Sequence, residues 1–329
     1  MIDSYNRIIN YLRVSITDRC NLRCVYCMPK EGVSFLGHED ILRYEEILRI
    51  VNIAVKFGII KIRITGGEPL VRRGVIEFLS ELMNVEGLQD ISLTTNGILL
   101  EDFAERLFDA GIHRINVSLD SLVPEKYRMI TRGGDLNRVL RGIEKARAAG
   151  FSPIKINIVG IQGFNDNEIE NFAELIVDKP YQVRFIEYMP IGAPMNESFH
   201  HLSTDDIINT IKKRYTLLSR NSVERAGGPA RVYRVDGCKG ELGFIGAMSH
   251  QFCNTCNRLR LTANGELRAC LFSDEPAADL KTPLREGCTD EELHEIITGL
   301  ISRKPRSYEG PSYQSSRKKC VRNMSSIGG

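Results

Sequence analysis

Short runs of alternating apolar and polar residues recur through the first two-thirds of the chain. Longer stretches with apolar positions at helical spacing lie between them. The alternating runs are RVSIT from Arg13, KIRIT from Lys61, DISLTT from Asp90, RINVSL from Arg114, IKINIV from Ile154 and QVRFIEYM from Gln182. A period of two predicts strands. After Tyr44, the residues Ile47, Leu48, Val51, Ala54 and Val55 share one helical face, and Gly58 supplies a stop. Helices are predicted near 75–84, 101–110, 137–149, 168–178 and 204–214, the last opened by Ser203 with Asp206. Strands alternating with helices predict a parallel sheet with crossover helices.

The parity of the strands refines this picture. Parallel strands covered on both faces read as continuous apolar runs, and these do not. One parity is apolar: Val14 and Ile16, Ile62 and Ile64, Ile91 and Leu93, Ile115 and Val117, Ile154, Ile156 and Ile158. The other is polar: Arg13, Ser15 and Thr17, Lys61, Arg63 and Thr65, Ser92 and Thr94, Asn116, Ser118 and Asp120, Lys155 and Asn157. A partial (β/α)6 TIM-like barrel explains both sets, with apolar side chains under the helices and polar ones facing a lumen. An open doubly wound sheet is the alternative. A lumen lined by Arg13, Lys61, Arg63, Lys155 and Arg184 suits a polyanion such as a nucleoside triphosphate. The plainer reading is a solvated, charged sheet face.

The pattern changes near residue 215. Gly227-Gly228-Pro229 breaks the chain, strand-like VYRV and ELGFIGAM follow, and the tail from Arg303 is basic and rich in Ser and Gly. This divides the chain into residues 1–214 and 215–329. Of the 329 residues 42% are hydrophobic and 26% charged, and the net charge of +2 gives no global pull toward nucleic acid or membrane. No leader-like or membrane-spanning run is expected. Nine cysteines, an odd number gathered mostly in two clusters, predict metal ligation in a reducing cytosol rather than a disulfide framework.

The first cluster is CNLRCVYC, with Cys20, Cys24 and Cys27 on the loop leaving the first strand. Barrel active sites lie at that end of the strands. Three thiolates can hold three irons of a 4Fe–4S cube and leave the fourth open. Structural zinc needs a fourth ligand, and the nearest candidate, His38, stands at no familiar spacing. The motif C-x-x-x-C-x-aromatic-C resembles the radical S-adenosylmethionine (SAM) superfamily, and TGGEPL (Thr65–Leu70) after the second strand resembles that superfamily's second motif. The resemblance implies SAM bound through Gly67 and Glu68, with Tyr26 along the adenine and Ser118 and Met189 completing the pocket.

The second cluster lies in FCNTCNRLRLTANGELRACL, where Cys253 and Cys256 are followed after thirteen residues by Cys270. By itself this spacing leaves zinc and iron–sulfur open, with Cys238, His250 or Cys288 as a fourth ligand for zinc. Together with the first cluster, FIEYMPIG (Phe185–Gly192), CNRLRLT (Cys256–Thr262) and the terminal NMSSIGG, it closely resembles the MoaA family, the GTP 3′,8-cyclases of molybdenum-cofactor biosynthesis. The resemblance implies a second 4Fe–4S cluster on Cys253, Cys256 and Cys270, and GTP contacts from Arg13, Arg63, Thr94, Lys155, Arg258, Leu259 and Arg260. It also gives a catalytic part to Arg258, Arg260 and the terminal Gly328 and Gly329. Ser307 stands near the place where a histidine is expected in many relatives, which leaves the docking of the tail less defined.

The implied chemistry is SAM cleavage to a 5′-deoxyadenosyl radical, hydrogen abstraction from the ribose 3′ carbon of GTP, and closure onto carbon 8 of guanine. A flavodoxin- or ferredoxin-type electron donor, a downstream cyclic pyranopterin monophosphate synthase and a homodimer in the cytoplasm complete the expectation. Cys238, Cys288 and Cys320 receive no role.

Overall fold

The computed structural model describes residues 1–191, 199–219, 228–272, 276–307, 324 and 327. Six parallel strands form its centre: β1 (Tyr11–Ser15), β2 (Lys61–Thr65), β3 (Asp90–Thr95), β4 (Ile115–Ser118), β5 (Lys155–Gln162) and β6 (Gln182–Glu187). The helices between them are α1 (Tyr44–Lys56), α2 (Val75–Met83), α3 (Leu100–Asp109), α4 (Pro124–Thr131), α5 (Leu136–Ala148) and α6 (Ile169–Asp178). The expected strand–helix alternation is therefore present. Helix α4 is an addition. It is short and mostly polar, starts on Pro124 and stops where Arg132 turns left-handed at φ 54°, so periodicity alone did not reveal it.

The later chain extends the same sheet at both edges. After α6 come β7 (His200–His201), α7 (Thr204–Lys212), β8 (Leu217–Ser219), β9 (Arg231–Val235) and β10 (Glu241–Ile245). Then follow β11 (Arg258–Leu261), β12 (Glu266–Arg268), β13 (Ala278–Asp279), α8 (Lys281–Arg285) and α9 (Asp290–Ser302). Strand β10 lies parallel to β6 on one side and β11 parallel to β1 on the other, each flanked by antiparallel strands. The predicted start of α7 is present, with Ser203 Oγ accepting from the Asp206 amide. Helices α8 and α9 were not foreseen.

The apolar parity packs as expected. Leu12, Val14, Ile62, Ile64, Leu93, Ile115, Val117, Ile156 and Ile158 join the inward faces of the helices in one core. The polar parity is left on the opposite, concave side. Arg63 on β2 and Arg184 on β6 feel each other's charge. In a flat sheet four strand spacings would separate those strands by about 19 Å, so the sheet is curved around that side.

Buried Glu187 ties the end of β6 to its surroundings. Its carboxylate accepts from the amides of Thr204 at 2.8 Å, Met248 at 2.8 Å and Ser249 at 2.9 Å. Burial opposes its ionisation, but His201, Ser249 and Thr204 outweigh burial and hold it well below the usual carboxylate range. One side chain thus fixes the start of α7 and the segment leading to the second cysteine cluster.

Candidate functional site

The first cysteine segment is folded by local turns and by α4. The Cys27 amide donates to the Cys24 carbonyl at 2.9 Å. The amides of Arg23 and Val25 donate to the carbonyls of Thr131 and Ile130 at the end of α4. Tyr26 donates its hydroxyl to Asp120 at 2.6 Å, and Asp120 also accepts from the Val159 amide at 2.8 Å. Burial pushes Asp120 up to about 6, although both hydrogen bonds work against that. Burial likewise raises the Cys24 thiol well above its ordinary value, and Cys27, Asp120 and Cys20 raise it further. Crowded thiols whose ionisation is opposed by burial and by each other form a donor set that cationic irons would relieve. The residues therefore fit an iron–sulfur cluster.

The TGGEP turn is built onto the same segment. The Gly67 and Glu68 amides donate to the carbonyls of Thr17 and Arg19 at 2.7 and 2.8 Å. A Cβ at Gly67 would stand 2.3 Å from the Arg19 carbonyl oxygen, so only glycine allows this approach. Glu68 is fully buried. It accepts from the Leu70 amide (3.1 Å), the Thr95 hydroxyl (2.8 Å) and the Asn96 amide (2.7 Å). Burial still carries it up to about 7. A carboxyl poised at neutrality beside the cysteine loop suits an incoming ammonium group. Asn96, which sequence reasoning missed, completes the link by donating to Asn21 at 2.8 Å.

The concave face is strongly basic. Arg268, Arg260, Arg13 and Arg63 occupy one register row across β12, β11, β1 and β2, with Ser92 next on β3. Lys155 and Arg184 face them from β5 and β6. Burial, then the Arg184, Arg114 and Arg63 charges, pull Lys155 down to about 6. Burial and Arg63 bring Arg184 to about 9, and burial and Arg258 bring Arg260 to about 10. Among the described residues, Tyr11 Oη, Thr94 Oγ1 and Asn157 Oδ1 are buried polar atoms without a hydrogen-bond partner. Each has the polar parity of its strand. Crowded cations beside unsatisfied polar atoms form a site that an anionic, hydrogen-bonding ligand would complete. Tyr11 and Asn157 were not singled out from the sequence, although the parity of their strands carried the signal.

The second cysteine triad is assembled from two segments. Cys253 and Cys256 lie on one turn, with the Cys256 amide donating to the Cys253 carbonyl at 3.1 Å, and Cys270 follows β12. Arg7 donates to the Cys253 carbonyl at 2.8 Å. Lys304 Nζ donates to the Arg258 carbonyl at 2.9 Å and also to the Ala269 carbonyl. Burial would raise the Cys256 thiol, but Arg258 and Lys304 outweigh it and bring the thiol down to about 7. A thiol poised to ionise suits metal ligation. Among the described residues no three His, Cys, Asp or Glu side chains converge as on a single ion. Thiolates on separate irons of a cube need no such convergence.

The structure gathers most of the expected site residues. Tyr26 and Glu68 lie beside Cys24 and Cys20, Gly67 packs on the backbone of Arg19 just before Cys20, and Ser118 ends β4. Met189, after β6, packs with Ile191, Leu271, Phe272, Met324 and Ile327, beside the segment after Cys270. Leu259 turns its side chain into the core, so only its backbone is available to a ligand. Lys61 shares a row with Tyr11 and Asp90. Gly328 and Gly329 lie outside the described residues, but Ile327 is fully buried against Ile191. Cys320 also lies outside them.

Comparison with known proteins agrees with this arrangement. Residues 14–176 match the Radical SAM superfamily and residues 181–310 match Molybdenum Cofactor Synthesis C. The chain is 49% identical to the GTP 3′,8-cyclase of Thermodesulfovibrio yellowstonii and 48% identical to that of Desulforamulus reducens. Both alignments cover 100% of this chain and of the relative. The crystal structure of Streptococcus suis SuiB superposes with a TM-score of 0.63 at 13% identity, covering 91% of this chain and 69% of that one. At such low identity the likeness speaks for the fold.

Proposed function

The chain belongs to the GTP 3′,8-cyclase family of radical SAM enzymes, and from that premise we propose that it converts GTP to (8S)-3′,8-cyclo-7,8-dihydroguanosine 5′-triphosphate, the first step of molybdenum-cofactor biosynthesis. The observation that carries this reading is the row Arg260, Arg13 and Arg63, set between two cysteine triads and beside the unsatisfied Tyr11, Thr94 and Asn157. Cys20, Cys24 and Cys27 would hold one 4Fe–4S cluster, and Cys253, Cys256 and Cys270 the other. When bound, the first cluster and SAM supply a 5′-deoxyadenosyl radical able to take hydrogen from the ribose 3′ carbon.

The residues do the positioning. Glu68 and the Gly67 backbone receive the SAM ammonium, Tyr26 is oriented along the adenine by Asp120, and Ser118 and Met189 close the pocket. Arg13, Arg63 and Lys155 hold the phosphates, Arg258 and Arg260 act beside the base, and the Thr94 hydroxyl gains the partner it lacks. Leu259 contributes through its backbone. The strand register fixes these side chains relative to one another, which sets the distance between the reacting groups. Gly328 and Gly329 are assigned to cyclisation, with Ile327 as their anchor.

Residues 1–214 are read as the SAM-binding region and 215–329 as the region of the second cluster. The reading extends to a flavodoxin- or ferredoxin-type electron donor, a homodimer and a downstream cyclic pyranopterin monophosphate synthase. No helix among the described residues is long and apolar enough to cross a membrane, which is compatible with a cytoplasmic enzyme. Anaerobic reconstitution followed by measurement of 5′-deoxyadenosine tests the reaction. Formation should depend on GTP and not on ATP. No response to GTP in protein carrying both clusters would sink the reading.

A further inference from the structure

We propose that Lys304 is a positioning residue for the second cysteine triad and supplies its buried countercharge, raising the reduction potential of the cluster held there. The inference rests on the reading that Cys253, Cys256 and Cys270 carry a 4Fe–4S cluster. Lys304 follows α9 and is 3% exposed. Its ammonium donates to the carbonyls of Arg258 and Ala269. Arg258 stands two residues after Cys256, and Ala269 stands immediately before Cys270. One side chain therefore joins the two segments that bring these ligands together.

The charge balance around Lys304 distinguishes it from its neighbours. Arg7, which reaches the Cys253 carbonyl, is neutralised by Asp3 at 2.6 Å. Arg258 and Arg260 lie on β11, in register with Tyr11 and Arg13 of the basic face, where they are assigned to the substrate. Lys304 has no carboxylate within salt-bridge distance among the described residues. Burial above all, then the Arg7 and Arg258 charges, lower the pKa of its ammonium, and the groups that favour its charge are Cys256 and Cys270. A cluster gains negative charge on reduction, so a buried cation beside its thiolates favours the reduced state.

The test uses the full chain with Cys20, Cys24 and Cys27 replaced by Ala, so that only the second triad is loaded. Iron and acid-labile sulfide are counted, and the midpoint potential is read by EPR-monitored titration. The parent should hold roughly four irons. Lys304→Met and Lys304→Gln should shift the midpoint to more negative potential, and Lys304→Arg should stay near the parent. Loss of iron from the Met and Gln variants, but not from the Arg variant, would also support the countercharge, because Gln keeps a donor. An unchanged midpoint in fully loaded Lys304→Met would overturn it, as would loss of iron from all three variants. A parent without iron and sulfide would instead remove the cluster reading beneath it.

Discussion

Lys155 concentrates the electrostatic logic of the site in one side chain. Burial and the neighbouring Arg184, Arg114 and Arg63 hold its pKa at about 6 in the ligand-free protein. It is therefore mostly neutral at pH values above that, despite lying in a site that attracts anions. A bound triphosphate stabilises the ammonium and raises its pKa, so the linkage runs toward proton uptake. GTP binding near neutral or mildly alkaline pH should take up about one proton, visible as a buffer-dependent enthalpy in calorimetry. Lys155→Met should remove the buffer dependence and weaken binding by about 1.5–3 kcal/mol. Binding with no proton uptake in the wild type would mean that Lys155 already carries its charge or does not meet the phosphates.

Among the elements, the turn between β2 and α2 is bonded to the backbone that enters the cysteine loop. Its glycine is required by close approach, since the atom that a Cβ at Gly67 would meet is backbone and not the yielding end of a side chain. The displaced backbone leads directly to Cys20. Gly67→Ala should therefore act selectively, lowering iron from roughly eight to roughly four per chain and abolishing SAM binding while the second triad stays loaded. Iron analysis with equilibrium SAM binding measures both. Full iron with normal SAM affinity would show that the loop can shift away without loss. The turn residues were legible in the sequence as TGGEP. Asp120 was legible only as a polar position of β4's parity, and Asn96 was not legible at all, because one Asn at a strand end carries no local signal that separates it from ordinary turn chemistry.

Across the whole molecule the segment before β1 is bound to the segment after α9 through Arg7. Its guanidinium pairs with Asp3 at 2.6 Å and donates to the carbonyls of Cys253, Pro305 and Arg306. Removing one partner of a buried pair strands the other, at about 3–5 kcal/mol. Arg7→Met should lower the stability of the metal-free chain by that order in urea denaturation, and adding Asp3→Asn should recover part of the loss. A wild-type midpoint for Arg7→Met would show that these two segments fold independently of this contact. The second triad therefore rests on Arg7, ahead of β1, and on the segment after α9 as well as on its own loop.

Strand parity, helical spacing and the two cysteine motifs were determined by the sequence alone, because each is a pattern among residues near one another in the chain. The same patterns mark Arg13, Arg63 and Lys155 as lumen cations. Tertiary structure decided which residues share a register row, so that Arg260 stands beside Arg13 and Arg268 beside Arg260. It also decided that Lys304 reaches across 46 residues to Arg258, and Arg7 across 298 to Pro305. Such contacts depend on how the strands pair and how the chain ends pack. No periodicity encodes them, since the residues that meet are neighbours only once the sheet has formed.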